Sequence, residues 1–231
     1  MEALLWKDQS WKALVNLAGS EFPRYPNVEF VRRSKQSKSA YIESSPMEEK
    51  LYNKRLAHYF ALTNKGFHPN QSSVNHPIPR AKKRPNPPFG LKIYTGFRGC
   101  ILPRHWVSFL LFHPVSRQFI EWSKDSSHGE EHVVHTITSI SKVTMINKTW
   151  VVEQEDGDRY NATQSPPYLH SIRHALKSAK NSCHGIARNG HCVLSMRDLA
   201  FILDPGKTAL VTNKFQSDVD PWVVPCLAEI I

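Results

Sequence analysis

Three places in this 231-residue chain carry side chains of the kinds that do chemistry. Glu130-Glu131-His132 sets two carboxylates beside an imidazole. Such a triplet can supply a general base, contribute a metal ligand, or serve only as the polar start of a helix. Lys214 stands between Asn213 and Phe215, where its type alone marks a surface cation. Arg80-Ala81-Lys82-Lys83-Arg84 is a basic run that can contact phosphates, act as a nuclear import signal, or lie on a solvated loop. The twelve histidines include no His-Glu-x-x-His or comparable metal spacing. Of the four cysteines, Cys183 and Cys192 are spaced to suit a local loop closed by a disulfide, although sequence does not fix the pairing of Cys100, Cys183, Cys192 and Cys226. Asn70, Asn147 and Asn161 each begin an Asn-x-Ser/Thr triplet, which accepts a glycan only in a chain that enters the secretory pathway.

The elements that must hold these groups follow from pattern and capping. Trp11–Leu17 reads as a short buried strand stopped by Ala18-Gly19-Ser20. Asn27 caps a helix from Val28 to Ser34, with Glu29 in the first turn. A helix-friendly stretch follows Pro46 as far as Arg55. Residues 64–90 hold six prolines and read as a proline-rich basic loop. Leu91–Leu102 predicts a strand, Pro103 the first turn of a helix to Leu111, and Ser116–Trp122 a second helix. Ser127–His132 opens a third helix, and Val143–Val152 is β-like. Leu169–Ala179 is a basic helix candidate, His191–Leu194 a strand, Arg197–Leu203 a short helix and Phe215–Ile231 a terminal helix. Strands and helices in alternation imply an α/β domain.

Composition narrows the class. A hydrophobic share of 40% with six Trp and eleven Phe fits a folded chain and excludes a disordered one. Thirty Lys and Arg against twenty Asp and Glu leave a formal charge of +10, which favours an anionic partner: nucleic acid, an acidic membrane surface, or a phosphorylated small molecule. No run reaches the roughly 18–20 apolar residues that span a bilayer. Met1–Trp6 meets Lys7 and Asp8 at once and does not read as a signal peptide.

Taken in order, four segments resemble the core-2/I-branching β-1,6-N-acetylglucosaminyltransferase family. They are Trp11–Pro23; Glu121-Trp122-Ser123-Lys124-Asp125 with Glu130-Glu131-His132; Cys183–Cys192 continuing to Asp198-Leu199; and Thr212-Asn213-Lys214-Phe215 with Asp218-Val219-Asp220 and Cys226-Leu227. The resemblance implies an α/β fold, the C-terminal portion of a GT-A-like domain with a mixed, mostly parallel sheet flanked by helices. It implies inverting transfer of N-acetylglucosamine from UDP-GlcNAc to a 6-hydroxyl of an O-glycan acceptor. Glu131 is then the general base. Lys214 and Arg188 bind the diphosphate in place of a metal, so no metal or other cofactor is expected. An ungapped alignment sets Asn189 at the family arginine position and Arg188 one residue early, a shift that turns a strand side chain to the opposite face; Arg197 is the alternative. Cys183 and Cys192 keep the spacing of a family disulfide, and Cys226 is left as an unpaired thiol. Family members sit in the Golgi membrane through an N-terminal anchor. Glycans at Asn147 and Asn161 fit that compartment. On this pattern the chain is expected to be a partial catalytic domain over 1–231, with anchor, stem and first part of the nucleotide-binding half lying outside it.

Three departures accompany the match. The family's aromatic Lys-Trp-x-Tyr stretch is not recognisable between Tyr168 and Ser182; its Gly-x-Gly reads Ser195-Met196-Arg197; and its acceptor-gripping residues do not map one by one onto Glu43–Tyr52. Two other classes stay compatible with the residues. One is a catalytically inactive relative that acts as a binding or regulatory partner, through homo- or hetero-oligomers. The other is a nucleic-acid-binding protein using Arg80–Arg84 and Arg173–Lys180, for which no aromatic stacking pattern or zinc spacing speaks.

Overall fold

The computed structural model describes residues 10–35, 41–61, 78–154, 173–175, 183–188, 191–206 and 209–231. It is a mixed α/β protein whose described residues gather into two compact units. One takes in those of 44–97 and 105–159, the other those of 6–43, 98–104 and 160–231.

In the first unit, α2 (Glu49–Arg55) leads into the antiparallel pair β4 (His58–Ala61) and β5 (Ile78–Lys83). Residues 78–83, expected within a loop, are therefore a strand, and Arg80–Lys83 of the basic run lie on it. Arg84 follows with its guanidinium over the Trp122 ring at 4.1 Å, and the Trp122 indole N–H donates to the Pro85 carbonyl at 3.0 Å. The tertiary pairing overrode the prolines because Pro79 lies at an edge of a two-stranded ladder, where a missing N–H is tolerated. Residues 64–77 of the expected loop lie outside the described residues.

Two helices then build the core of this unit. Helix α3 (Arg104–Phe112) buries Val107 and Leu110, three apart on one face. Pro103 closes the preceding strand and does not enter the helix. Helix α4 (Pro114–Ser123) starts with Pro114 in its first turn, capped by His113 Nδ1, which accepts the Val115 N–H at 3.3 Å. Val115 and Phe119, one turn apart, are fully buried with Leu56, Leu91, Ile93, Leu110, Ile137 and Ile140. Helix α5 (Val133–Thr138) and the antiparallel hairpin β7 (Ile140–Ile146) and β8 (Thr149–Gln154) complete the unit. The hairpin turns on Asn147 (φ 47°) and Lys148 (φ 64°), the left-handed pair that a two-residue loop of type I′ demands.

In the second unit, β1 (Ala13–Asn16) runs antiparallel to the end of β6 (Tyr94–Pro103), Asn16 opposite Cys100 and Ala13 opposite Pro103. Strand β3 (Tyr41–Pro46) flanks β6 on its other side. Helix α1 (Asn27–Lys35) brings Phe30 against buried Ile101, Leu210 and Val211. A second sheet has the order β2 (Glu21–Pro23), β12 (Val211–Asn213), β9 (Arg173–Ala175). The β9–β12 ladder is parallel and β2–β12 antiparallel. The β9–β12 ladder supplies parallel pairing of the kind expected of the sheet, and residues 173–175, expected in a basic helix, form that strand. A hairpin of β10 (Ile186–Arg188) and β11 (His191–Val193) is crossed by the Cys183–Cys192 disulfide. Gly185 permits it, since a Cβ there would meet the Val193 carbonyl oxygen at 1.8 Å.

The end of the chain departs from a single long helix. Beyond the short helix α6 (Leu199–Ile202), Phe215–Trp222 is a run of loop and turns, and only α7 (Val223–Ile230) is helical. Asp220 explains the break: its carboxylate accepts the N–H groups of Trp222 (2.9 Å) and Val223 (3.2 Å), capping α7, and that of Met196 (2.8 Å). Pro225 falls in the first turn of α7, where no N–H is missed. Among the described residues no helix is long and apolar enough to cross a membrane.

Candidate active site

The sequence-predicted residues fall in both units. Glu131 belongs to the first, at the end of a 3-10 turn over Gly129–Glu131. That turn is entered through His128 in the left-handed region (φ 58°), whose carbonyl accepts the N–H of Glu131 at 3.0 Å. Thr95 Oγ1 donates to the Glu131 carbonyl at 2.9 Å. The side chain is held from α2: Arg55 Nη1 lies 2.5 Å from Glu131 Oε2, in a pair only 20% and 28% exposed. The N–H of Ser127 donates in turn to the Arg55 carbonyl at 3.0 Å. Arg55 thus anchors the turn and its carboxylate together. Sequence reading missed it, because the partners lie far apart in the chain and nothing in a helix-terminal arginine names its acceptor.

The rest of the triplet separates into roles. Glu130 is exposed. His132 is fully buried, edge-on to Phe119 at 6.5 Å, with Nδ1 against the His128 carbonyl at 3.1 Å. Burial pushes its pKa down to about 4, so it is a neutral core imidazole. Of the triplet, Glu131 alone is a half-buried carboxylate fixed by a cation on one oxygen. Its Oε1 makes no hydrogen bond among the described residues, and an approaching hydroxyl can give it a proton.

Lys214 and Arg188 belong to the second unit, and the structure brings them to one loop. Lys214 follows β12 with its backbone pinned on both sides: its carbonyl accepts the Leu194 N–H at 2.8 Å, and the next N–H, of Phe215, donates to Ser20 at 2.9 Å. The Asn213 amide also donates to Ser20 Oγ at 3.1 Å. Arg188, last residue of β10, reaches the same loop two and four residues further on. Its Nη1 donates to Gln216 Oε1 at 2.7 Å and to Asp218 Oδ2 at 2.9 Å. Beside this loop lies a cavity of about 630 Å³ lined by Gly19, Ser20, Phe215, Gln216 and Asp218 among others. Two polar residues that the sequence did not single out, Ser20 and Gln216, line it. Arg197 is exposed on the Met196–Asp198 turn, and Asn189 lies outside the described residues.

That turn is itself built around an ionised carboxylate. Asp198, 2% exposed, accepts from the N–H groups of Ser195 (2.9 Å) and His184 (3.0 Å), from Ser195 Oγ and from His184 Nδ1. Burial opposes its charge, but these donors outweigh it and hold the pKa below the usual carboxylate range. The disulfide expected at Cys183–Cys192 is formed. Cys100 and Cys226 are free thiols, and burial pushes the Cys100 thiol up to about 12. Asn147 occupies an exposed hairpin turn, whereas Asn161 lies outside the described residues. Among the described residues no group of three or more His, Cys, Asp or Glu is placed to hold a metal ion.

Comparison with known proteins gives the frame for this geometry. The sequence model of the family described as Core-2/I-Branching enzyme matches residues 1–184. Beta-1,3-galactosyl-O-glycosyl-glycoprotein beta-1,6-N-acetylglucosaminyltransferase 3 of Homo sapiens is 26% identical over 246 residues, covering 100% of this chain and 50% of its own length. The like-named enzyme of bovine herpesvirus 4 matches at 26% with the same coverage. Enzyme 4 of Danio rerio matches at 24% over 98% of the chain and 50% of its own length. The chain spans about half the length of the curated relatives it matches.

Proposed function

The chain belongs to the Core-2/I-branching enzyme family, and from that premise we propose that it serves the transfer of N-acetylglucosamine from UDP-GlcNAc to a 6-hydroxyl of an O-linked glycan on a glycoprotein. The relatives' names specify a β-1,3-galactosyl-O-glycosyl acceptor and a β-1,6 product. The transfer is read as a single displacement with inversion, which needs one carboxylate to take the hydroxyl proton as the new bond forms. Glu131 has that role. Its Oε2 is occupied by Arg55, and Oε1 receives the proton.

The leaving group is a nucleoside diphosphate whose negative charge grows as the sugar departs. Lys214 and Arg188 neutralise it, in a reaction that uses no metal. The observation that carries this reading is the meeting of Arg188 with the loop after Lys214, through Gln216 and Asp218. A one-residue displacement along β10 is absorbed there because Arg188 ends the strand, where the alternation of faces no longer binds it. The Golgi membrane is the proposed compartment, and Asn147 and Asn161 are proposed glycosylation sites within it.

The test is a transfer assay with UDP-GlcNAc and a β-1,3-galactosyl-N-acetylgalactosaminyl peptide, the product linkage being read by NMR. A β-1,6-linked N-acetylglucosamine on the acceptor is expected. A folded protein that gives no product, and whose unfolding temperature UDP does not raise, removes the reading.

A further inference from the structure

A second concave site lies in the first unit and takes no part in the reading above. Helix α3 carries Trp106 and Phe109 three residues apart, with His113 one turn beyond, so the three rings share one face. Trp106 meets Phe109 edge to face at 5.7 Å, and Phe109 stacks on His113 at 4.5 Å. With His105 and the start of β7, Ile140–Val143, these rings enclose a groove of about 440 Å³. That is within the range of about 300–1,000 Å³ for small-molecule sites. Phe109 also packs on the buried core, whereas Trp106 is half-buried. Its indole N–H makes no hydrogen bond among the described residues.

The charge on the groove is close to balanced. No carboxylate lines it, and the Lys142 ammonium is paired with Glu153 at 3.2 Å. His113 Nδ1 accepts the Val115 N–H, so its proton sits on Nε2 as a donor, and burial lowers its pKa and keeps it neutral. Ser141 Oγ donates to the Glu153 carbonyl and keeps its lone pairs to accept. An anion gains little here. A ligand with a C–H face for the aromatic wall and hydroxyls for the flanking donors and acceptors gains both.

The geometry points to a second glycan-binding subsite, a neutral pyranose seated on Trp106 and Phe109 with its hydroxyls bonded to His113 Nε2–H and Ser141 Oγ. It engages a sugar other than the one being modified and so favours multiply glycosylated acceptors. That the sugar belongs to an acceptor rests on the transferase reading; the neutral, aromatic, donor-lined chemistry of the groove does not.

The test uses the full chain with ¹⁵N-labelled tryptophan, the Trp106 indole signal being assigned from its loss in Trp106→Phe. Titration with methyl β-galactopyranoside is expected to move that signal saturably. Ser141→Ala is expected to weaken the apparent affinity about threefold to tenfold, the loss of one hydrogen bond. An indole signal unmoved at tens of millimolar sugar overturns the subsite. An unglycosylated Ser/Thr/Pro peptide that moves it as far as the sugar also overturns it, and assigns the groove to protein docking instead. The remaining indole signals report whether Trp106→Phe folds, and if it does not, the Ser141→Ala comparison of bulk sugar binding decides. UDP-induced stabilisation of the same sample scores the donor reading separately, so the two fail independently.

Discussion

Lys214 and Arg188 differ in what already balances their charge, and that difference ranks their contributions. Arg188 is shared between Gln216 and Asp218 in a pair 40% and 61% exposed, a contact that contributes about 0–1 kcal/mol and yields readily to a phosphate. Lys214 makes no ion pair among the described residues. Lys214→Ala is therefore expected to weaken UDP by about 1.5–3 kcal/mol, roughly tenfold to a hundredfold, as for hydrogen bonds to charged groups. Arg188→Ala is expected to weaken it less than Lys214→Ala; calorimetric titration of UDP into each variant checks the order, and a larger loss for Arg188→Ala contradicts it. Arg55 acts through Glu131, so Arg55→Ala is expected to lower kcat with UDP affinity unchanged, while Arg55→Lys recovers part of the rate. Residue type alone did not suggest the roles proposed for them. Glu131 and Lys214 stood out only in a four-segment pattern, and Arg55, Ser20 and Gln216 became visible only once folding brought distant positions together.

Elements were legible where a local rule decides. The Asn27 start of α1 follows from a capping preference and was read from it, whereas α4 begins at Pro114, two residues before the expected Ser116, and the stretch read as β-like over Val143–Val152 turns on Asn147-Lys148 into a hairpin. Elements set by a distant partner were not. Strands β5 and β9 read as loop and helix because a ladder partner overrode their own composition. The expected long terminal helix broke at Asp220, whose carboxylate is committed to N–H groups from two segments. Asp220→Ala leaves those donors uncapped and is expected to lower stability by about 0.5–2 kcal/mol, read by urea unfolding. The hairpin turn supplies a sign test: Asn147→Gly is tolerated, while Asn147→Val is expected to cost about 1–3 kcal/mol because a β-branched residue at positive φ is strained. Equal stability of the two variants contradicts the turn assignment.

At the scale of the whole molecule, the buried histidines set a pH limit. His132 and His135, 0% and 1% exposed, both have pKa values pushed down to about 4, chiefly by burial. The unfolded chain takes up those protons near 6.5, the folded chain only near 4. The unfolded state thus binds more protons between these values. Stability is full above about pH 6.5 and is lost progressively as pH falls toward 4, by roughly 3 kcal/mol for each histidine. Urea midpoints across that window check it, and replacing both histidines with apolar residues is expected to flatten the slope. Mixed α/β class and family were legible in the sequence, whereas the division into two units was not, because β6 and the stretches around it leave and re-enter the units along the chain.

The claim on which the account turns is that Glu131 takes the proton from the acceptor hydroxyl while Lys214 serves the departing diphosphate. Side-by-side rates of N-acetylglucosamine transfer for the wild type and Glu131→Gln, with UDP affinity measured on both, test it most directly. The expected result is a Glu131→Gln protein that binds UDP as tightly as the wild type and transfers at least a hundredfold more slowly, the scale of one general base. Equal transfer rates would contradict it.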